Sequence, residues 1–310
     1  MGRVVALAVL CLGCRFDVEH LPGGAEVDGP PFAQVGDGPG ASDGLTDAGV
    51  LIDLGAFGAP DEVDALSTSH GEDDPTLTAD MLEIYFNTNQ AGSTSTDIWM
   101  STRASTADAW GPPVQVLTLS AGGNDTIPEV SPDGLTMFLA RGGAGVLELY
   151  ASTRASRADA WGTPQVVAEL NSAWDDAGGS LTDDGRSVVF FSFRTGNFDV
   201  FVARRGSPSE AWSQPAAIAE VNSPTADVDP AINAPGTLLF FSSLRPGGEG
   251  SYDLFSARRA DPAGAFEAPA PHPELNTGFS ERDPWISPDG RVIYFESDRS
   301  GKSHIYWATR

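Results

Sequence analysis

Cysteine is nearly absent from this 310-residue chain: Cys11 and Cys14 are the only two, and both lie within the first fifteen residues. The rest of the chain can hold no disulfide and no thiolate-bound metal, so its stability must come from burial across a broad core. Lysine is scarcer still, Lys302 being the only one. Basic side chains number 18 against 43 acidic ones, a formal net charge of −25 at pH 7. Such a field repels nucleic acids and anionic lipid surfaces, which sets nucleic acid aside as a partner. The four histidines, His20, His70, His272 and His304, share no repeat position and no metal-ligand spacing. The apolar stretch from Val4 to Cys14 covers eleven positions, too few for a membrane-spanning helix, which needs about 20.

What is present begins with a leader. Arg3, the apolar stretch and Gly13 before Cys14 have the layout of a secretory signal. Leu12-Gly13-Cys14 resembles the end of a bacterial lipobox, in which a small residue precedes the cysteine that receives the lipid, although Cys11 stands where leucine is usual. Residues 1–14 are expected to be a signal peptide with lipidation at Cys14; an ordinary cleaved signal or a buried strand are the alternatives. Residues 15–54 are rich in Gly, Pro, Asp and Ala and show no periodicity, the composition of a disordered acidic linker. Gly40-Ala41-Ser42-Asp43-Gly44 matches a hydrolase nucleophile pattern, but it lacks the strand before and the helix after that would give it meaning.

Residues 55–310 repeat. An aromatic followed three residues later by proline occurs at Phe57, Trp110, Trp161, Trp212 and Phe266. A turn, clearest as Ser131-Pro132-Asp133-Gly134 and Ser287-Pro288-Asp289-Gly290, has its third position at Asp80, Asp133, Asp184, Pro235 and Asp289. Both markers keep intervals of 53, 51, 51 and 54 residues, so two independent signals share one register. Each unit parses into four short strands: one before the turn, an apolar-aromatic run after it such as Ile293-Tyr294-Phe295, a third ending at an arginine (Arg103, Arg154, Arg205, Arg259, Arg310), and a fourth opened by the aromatic-x-x-Pro element. The expected fold is all-β, a five-bladed β-propeller. The first fourth-strand, near Pro60, precedes every first strand, so the N-terminal strand should complete the last blade and remove its open edge.

The SPDG turn, the Ser-x-Arg element (Ser192-Phe193-Arg194, Ser243-Leu244-Arg245, Ser297-Asp298-Arg299) and the Asp-Val-Phe or Asp-Leu-Phe that follows resemble the TolB-like, WD-like family of β-propeller repeats. Blades one and two depart from it, with Asn87-Thr88-Asn89-Gln90 and Ala140-Arg141-Gly142-Gly143 in place of Ser-x-Arg. The resemblance implies a bacterial envelope protein, and a binding scaffold more often than an enzyme.

An acid stands eight residues before the turn marker in every unit: Glu72, Asp125, Asp176, Asp227 and Glu281. Two residues further on, three units add Asp74, Asp229 and Asp283. In a propeller these loops ring one mouth of the central channel. The acids therefore either cap their own loops or form a shared acidic funnel for a cation, with Ca²⁺ the suited metal, or for a partner. The arginines of Ser-x-Arg are expected to pair with carboxylates such as Asp199 and Asp253, the turn aspartates to cap their own turns, and the opening aromatics to pack between blades. The near-symmetry of the acids argues against an enzyme, in which carboxylates must differ in environment. The expected function is a non-enzymatic scaffold of the cell envelope, lipid-anchored at the outer membrane or periplasm or secreted, with an envelope protein or glycan as partner and no cofactor. A cation- or carbohydrate-binding propeller and a glycoside hydrolase using two funnel carboxylates are the alternatives.

Overall fold

The repeat markers fall on strands that pair within their own unit, in five four-stranded antiparallel sheets. The computed structural model of the chain describes residues 54–310 apart from 90–94, 121–122 and 143–145, together with the backbone of Thr46–Asp47 and Val50–Leu51. Those last two strands, β1 and β2, pair with each other as a small ribbon in a stretch where the sequence suggested no strand. The leader, Cys14, the GASDG stretch and the rest of the linker lie outside the described residues.

Blade 1 comprises β4 (Glu72–Leu77), β5 (Glu83–Thr88), β6 (Asp97–Thr102) and β7 (Val114–Gln115). Blade 2 comprises β8 (Asn124–Val130), β9 (Thr136–Gly142), β10 (Leu147–Thr153) and β11 (Gln165–Val166). Blade 3 comprises β12 (Asp176–Leu181), β13 (Ser187–Ser192), β14 (Asp199–Arg204) and β15 (Ala216–Ala217), and blade 4 β16 (Asp227–Ile232), β17 (Leu238–Ser243), β18 (Asp253–Arg258) and β19 (Ala270–Pro271). Blade 5 takes β20 (Glu281–Ile286), β21 (Val292–Ser297) and β22 (His304–Thr309) from the C-terminus and its fourth strand, β3 (Asp61–Glu62), from the N-terminal side. No helix occurs among the described residues.

The expected closure is therefore present, with Tyr306 opposite Glu62 and Trp307 opposite Asp61. Gly58 N–H donates to the Thr309 carbonyl and Val63 N–H to that of Ile305, each at 2.8 Å. The outer strands are shorter than the sequence suggested: two residues each, where Pro164 to Leu170 read as one. A proline (Pro60, Pro113, Pro164, Pro215, Pro269) stands directly before each of them, where its missing N–H costs no ladder bond. Short edge strands of this kind also offer little to a stray chain.

Five apolar clusters fill the five interfaces between neighbouring blades. The second strands lie between two sheets and are buried on both sides, as β17 is along its whole length, which explains why they read as unbroken apolar runs. The opening aromatic of each unit belongs to these clusters or packs against them, Phe57 with blade 4 and Trp161 with blade 1. Each also carries the guanidinium of its own unit's third-strand arginine, at 4.0 to 4.4 Å: Arg103 on Trp110, Arg154 on Trp161, Arg205 on Trp212, Arg259 on Phe266 and Arg310 on Phe57. The same guanidinium donates through Nε to a carbonyl of the turn, for example Arg154 to Gly134 and Arg310 to Gly290, both at 2.7 Å. In the fifth blade this device joins the C-terminal residue to the N-terminal segment.

Candidate functional site

The acids flagged in the sequence separate into two settings on the same strands. The first set, Glu72, Asp125, Asp176, Asp227 and Glu281, has no solvent exposure. Asp227 shows why: one oxygen accepts from Ser223 N–H at 2.5 Å, the other from Ser243 Oγ and Arg245 Nη2, both at 2.6 Å. Arg245 also donates to the Val221 carbonyl at 2.6 Å. Arg194 with Asp176, Arg299 with Glu281 and Arg141 with Asp125 repeat the arrangement. Glu72 has no such arginine in its unit and holds Thr68 instead, at its N–H and its hydroxyl. The expected pairing of Arg194, Arg245 and Arg299 with Asp199 and Asp253 is thus corrected: the planar guanidinium reaches the first-strand acid, which sits across the ladder from the serine two residues earlier.

The sequence reading missed the third partner of this device. Asn171, Asn222 and Asn276 accept from the backbone N–H of Leu149, Val200 and Leu254 and donate back to the same residues' carbonyls, so the side-chain amide extends the third strand where the fourth has ended. The signal was legible as Leu-Asn-Ser, Val-Asn-Ser and Leu-Asn-Thr at 170–172, 221–223 and 275–277.

Two residues after each paired acid, the first strand bulges, and the register slips in all five blades. The residue at the bulge is left-handed in every one: Asp74, Ile127, Gly178, Asp229 and Asp283 have φ between 51° and 66°. Only glycine adopts this conformation freely, and a β-branched residue such as Ile127 there is strained. A bulge re-aims a side chain, and here it turns these residues toward the propeller axis. Asp74, Asp229 and Asp283 come from blades 1, 4 and 5 and meet there, each 9% exposed or less.

The axial set is one-sided. Blades 2 and 3 contribute Ile127 and Gly178 at the bulge and Ala140 and Phe191 on the neighbouring strand, where blades 1, 4 and 5 have Asn87, Ser242 and Glu296. Ile127, Leu147, Phe191, Phe198 and Tyr252 form one apolar wall. Asp73, Asp74, Asp283, Glu296 and Arg282 line a cavity of about 320 Å³ together with Ile127 and Leu147 of this wall. Glu129 lies deeper, its carboxylate accepting from Thr76 Oγ1 at 3.3 Å. Below it the axis is packed by Leu77, Val130, Leu181, Ile232 and Ile286, leaving about 20 Å³, room for about one water. The mouth is therefore a cup.

Electrostatics separates these acids from the paired ones. Burial, reinforced by the charges of Asp73 and Asp229, pushes Asp74 up to about 7, and it shares a hydrogen bond with Asp283. Burial, then Asp229 and Asp74, holds Asp283 well above the ordinary carboxyl range. Glu129 is raised in the same way, by burial and then by Asp74 and Asp229, and burial with Asp73 nearby brings Glu296 to about 8. Burial alone would weaken the charge on Arg282, but Asp229, Asp283, Asp74 and Glu296 around it keep it firmly protonated. Its Nε stands 3.6 Å from Asp229 and its guanidinium lies over Tyr252 at 4.9 Å. Both oxygens of Asp229 and Oδ1 of Asp283 are buried with no hydrogen-bond partner. Among the described residues no three His, Cys, Asp or Glu side chains converge as a metal-holding group.

The face around this cup carries Trp174, Leu244 and Phe279, exposed by 54%, 40% and 51%. From Trp174 an edge-to-face chain of rings runs through Phe193 and Phe198 to Phe191 in the apolar wall, with centroids 5.0 to 6.0 Å apart. A larger groove of about 550 Å³ lies on the rim between blades 5 and 1. Its Arg103, Trp110 and Tyr294 bond and stack with one another.

No family model matches the chain, and no curated protein is a recognisable relative of it. Solved structures do resemble it. TolB from Acinetobacter baumannii superposes with a TM-score of 0.53 at 17% identity over 79% of this chain and 55% of that one, so the chain spans little more than half of that protein. The α-L-arabinofuranosidase PaAbf62A from Podospora anserina, solved with cellotriose, gives 0.54 at 15% identity over 77% of this chain and 90% of that one. A thermostable family-43 glycoside hydrolase gives 0.53 at 13% identity over 77% and 88%. The fold is thus a TolB-like five-bladed propeller, and it is equally the fold of glycoside hydrolases. This overturns the expectation that the chain is not an enzyme. That reading rested on kinship with scaffolds and on near-symmetrical acids, whereas the fold is shared with hydrolases and the axial acids are one-sided.

Proposed function

We propose that the axial cup binds carbohydrate and hydrolyses a glycosidic bond. The observation that carries this reading is the grouping of Asp74, Asp229 and Asp283 on one side of the axis, buried and incompletely paired, facing an apolar wall. Burying carboxylates without full partners costs several kcal/mol in general, and such arrangements concentrate at functional sites. Glycoside hydrolysis needs a protonated carboxyl to donate to the leaving oxygen and a second carboxylate that activates water or attacks the anomeric carbon. The hydrogen-bonded pair Asp74 and Asp283 retains a proton near neutral pH and supplies the acid. Asp229, beside Arg282, takes the proton from the water that attacks the anomeric carbon as the glycosidic C–O bond breaks. Trp174 and Phe193 at the rim offer ring faces for further sugar units. The five-bladed hydrolase fold and the cellotriose bound by one such protein are consistent with this assignment.

The leader supports delivery across the bacterial inner membrane and lipid attachment at Cys14, which would hold the propeller at the cell envelope. Membrane fractionation of the parent chain against Cys14→Ser checks that part, since only the parent should partition with the detergent phase. The activity is checked by release of reducing ends from arabino-, xylo-, cello- and amino-oligosaccharides. Release should fall at least about 100-fold in Asp74→Asn and Asp229→Asn, the usual scale for loss of an acid or base. Absence of release from every glycan, or release indifferent to both substitutions, overturns the proposal.

A further inference from the structure

The cavity at the mouth is polar over most of its wall, with one aliphatic patch formed by Ile127 and Leu147 of blade 2. Its carboxyls hold protons readily: burial, with neighbouring acids adding to it, brings Asp74 to about 7 and Glu296 to about 8. Its one cation, Arg282, is matched by Asp229, 3.6 Å from its Nε. Such a lining carries little net charge near neutral pH and can both donate and accept hydrogen bonds, which suits an uncharged polar ligand.

Ile127 holds the aliphatic patch at a cost. Its φ of 51° is left-handed, a region that a β-branched residue enters only under strain. The other four blades have aspartate or glycine at this position. The bulge itself is secured through the backbone, where Ile127 N–H donates to Asn87 Oδ1 at 3.0 Å. Isoleucine is therefore not needed to form the bulge, and what it adds is an apolar side chain on the cavity. The preceding residue, Thr126, has its Oγ1 3.3 Å from Asp74 Oδ2, which sets the patch beside the Asp74–Asp283 pair. Asp283 in turn keeps its Oδ1 buried with no hydrogen-bond partner.

We propose that Ile127 and Leu147 receive the methyl group of an acetamido substituent, so that the unit held in the cavity is a 2-acetamido-2-deoxyhexose whose amide N–H donates to Asp283 Oδ1. An acetamido group joins a methyl to one donor and one acceptor, the same combination that this part of the lining offers. It stands on C2, one bond from the anomeric carbon, so a unit reacting at the Asp74–Asp283 pair brings it to the adjoining patch. A volume of about 320 Å³ lies at the lower end for ligand pockets and takes about one such unit. This inference rests on the carbohydrate reading and names its substrate class. Ile127 acts in it as a specificity residue and takes no part in the chemistry.

The experiment is titration calorimetry of the full chain with three tetramers of one linkage that differ only at C2: N-acetylglucosamine, glucosamine and glucose. The acetylated tetramer should bind at least about tenfold more tightly than either of the others, the lower end of what one methyl contributes in an apolar pocket. Ile127→Asn supplies a residue that tolerates the left-handed conformation. That variant should melt close to its parent and lose most of the preference, with its affinity for the glucose tetramer unchanged. Leu147→Ala should reduce the preference in the same direction. Equal affinity for the acetylated and glucose tetramers, or preference for either of the others, overturns the inference and leaves the carbohydrate reading standing. No heat from any of the three also overturns it, while reducing-end release from the other glycans decides the carbohydrate reading separately. A preference that survives both substitutions seats the acetamido group elsewhere and overturns the inference. So does an Ile127→Asn variant that melts far below its parent, which would make this side chain a packing element of the ring.

Discussion

Asp227 and Asp229 are two residues apart on one strand, carry the same side chain and are both buried, yet their surroundings are opposite. Asp227 spends both oxygens on a loop amide, a serine and an arginine, and through them ties the end of blade 3 to the start of blade 4. Asp229, turned by the bulge to φ 52°, reaches only an arginine 3.6 Å away and three other acids. The pair teaches that one strand register can hold the ring together while the next, displaced by a single bulge, faces the axis with unmet hydrogen bonds. Repetition marks the first: the motif recurs with small variation in every blade. Asymmetry marks the second, because only blades 1, 4 and 5 carry the acid.

The contrast breaks most visibly at the paired position. Asp227→Asn should destabilise the propeller by about 3–5 kcal/mol, the cost of stranding a buried ion-pair partner, here Arg245, read as a lower denaturation midpoint. Asp74→Asn should do the reverse at neutral pH. Its carboxyl has an ordinary value of 3.8 in the unfolded chain and about 7 in the folded one. Its favourable proton binding is therefore fully present below about pH 4 and is lost as pH rises toward 7. The variant should gain on the order of 2 kcal/mol over the parent at pH 8, a discounted fraction of the 1.36 kcal/mol per pKa unit that linkage allows, and nothing at pH 4. Melting curves at the two pH values check this. Asn222→Ala removes a neutral amide that bridges Val200 N–H and C=O, and should cost about 1–2 kcal/mol by leaving buried backbone groups unmet. An Asn222→Ala loss as large as that of Asp227→Asn would mean that the loop, and not the ion pair, secures the ring.

The ring was legible in the sequence because closure repeats its chemistry: Trp161-x-x-Pro164, Ser131-Pro132-Asp133-Gly134 and the arginine that ends each third strand are local signals in one register. The axial site was legible only as a list of acids. Asp227 and Asp229 look alike in one dimension, and the bulge that separates them depends on Asp229-Pro230 being read as a left-handed residue before proline, a combination that propensity disfavours. Glu129 and Glu296 stood outside the repeat pattern of acids and gave no spacing signal; they join the cluster because the ring brings β8 and β21 to the same axis. The one-sidedness was in the alignment of the five repeats all along, since Ile127 and Gly178 occupy the aspartate position in blades 2 and 3. Counting acids across repeats concealed it, and the register of the sheets exposed it.

The central claim is that the axial carboxylates are held for a ligand at a cost to the fold, while the acids two residues before them hold it together. The most direct test is the melting temperature, from pH 4 to pH 8, of the double variant Asp74→Asn, Asp283→Asn beside its parent. The account predicts equal melting at pH 4 and a rising advantage for the variant toward pH 8. A variant that melts below its parent at pH 8 would show that these aspartates stabilise the ring as the paired acids do, and would contradict the account.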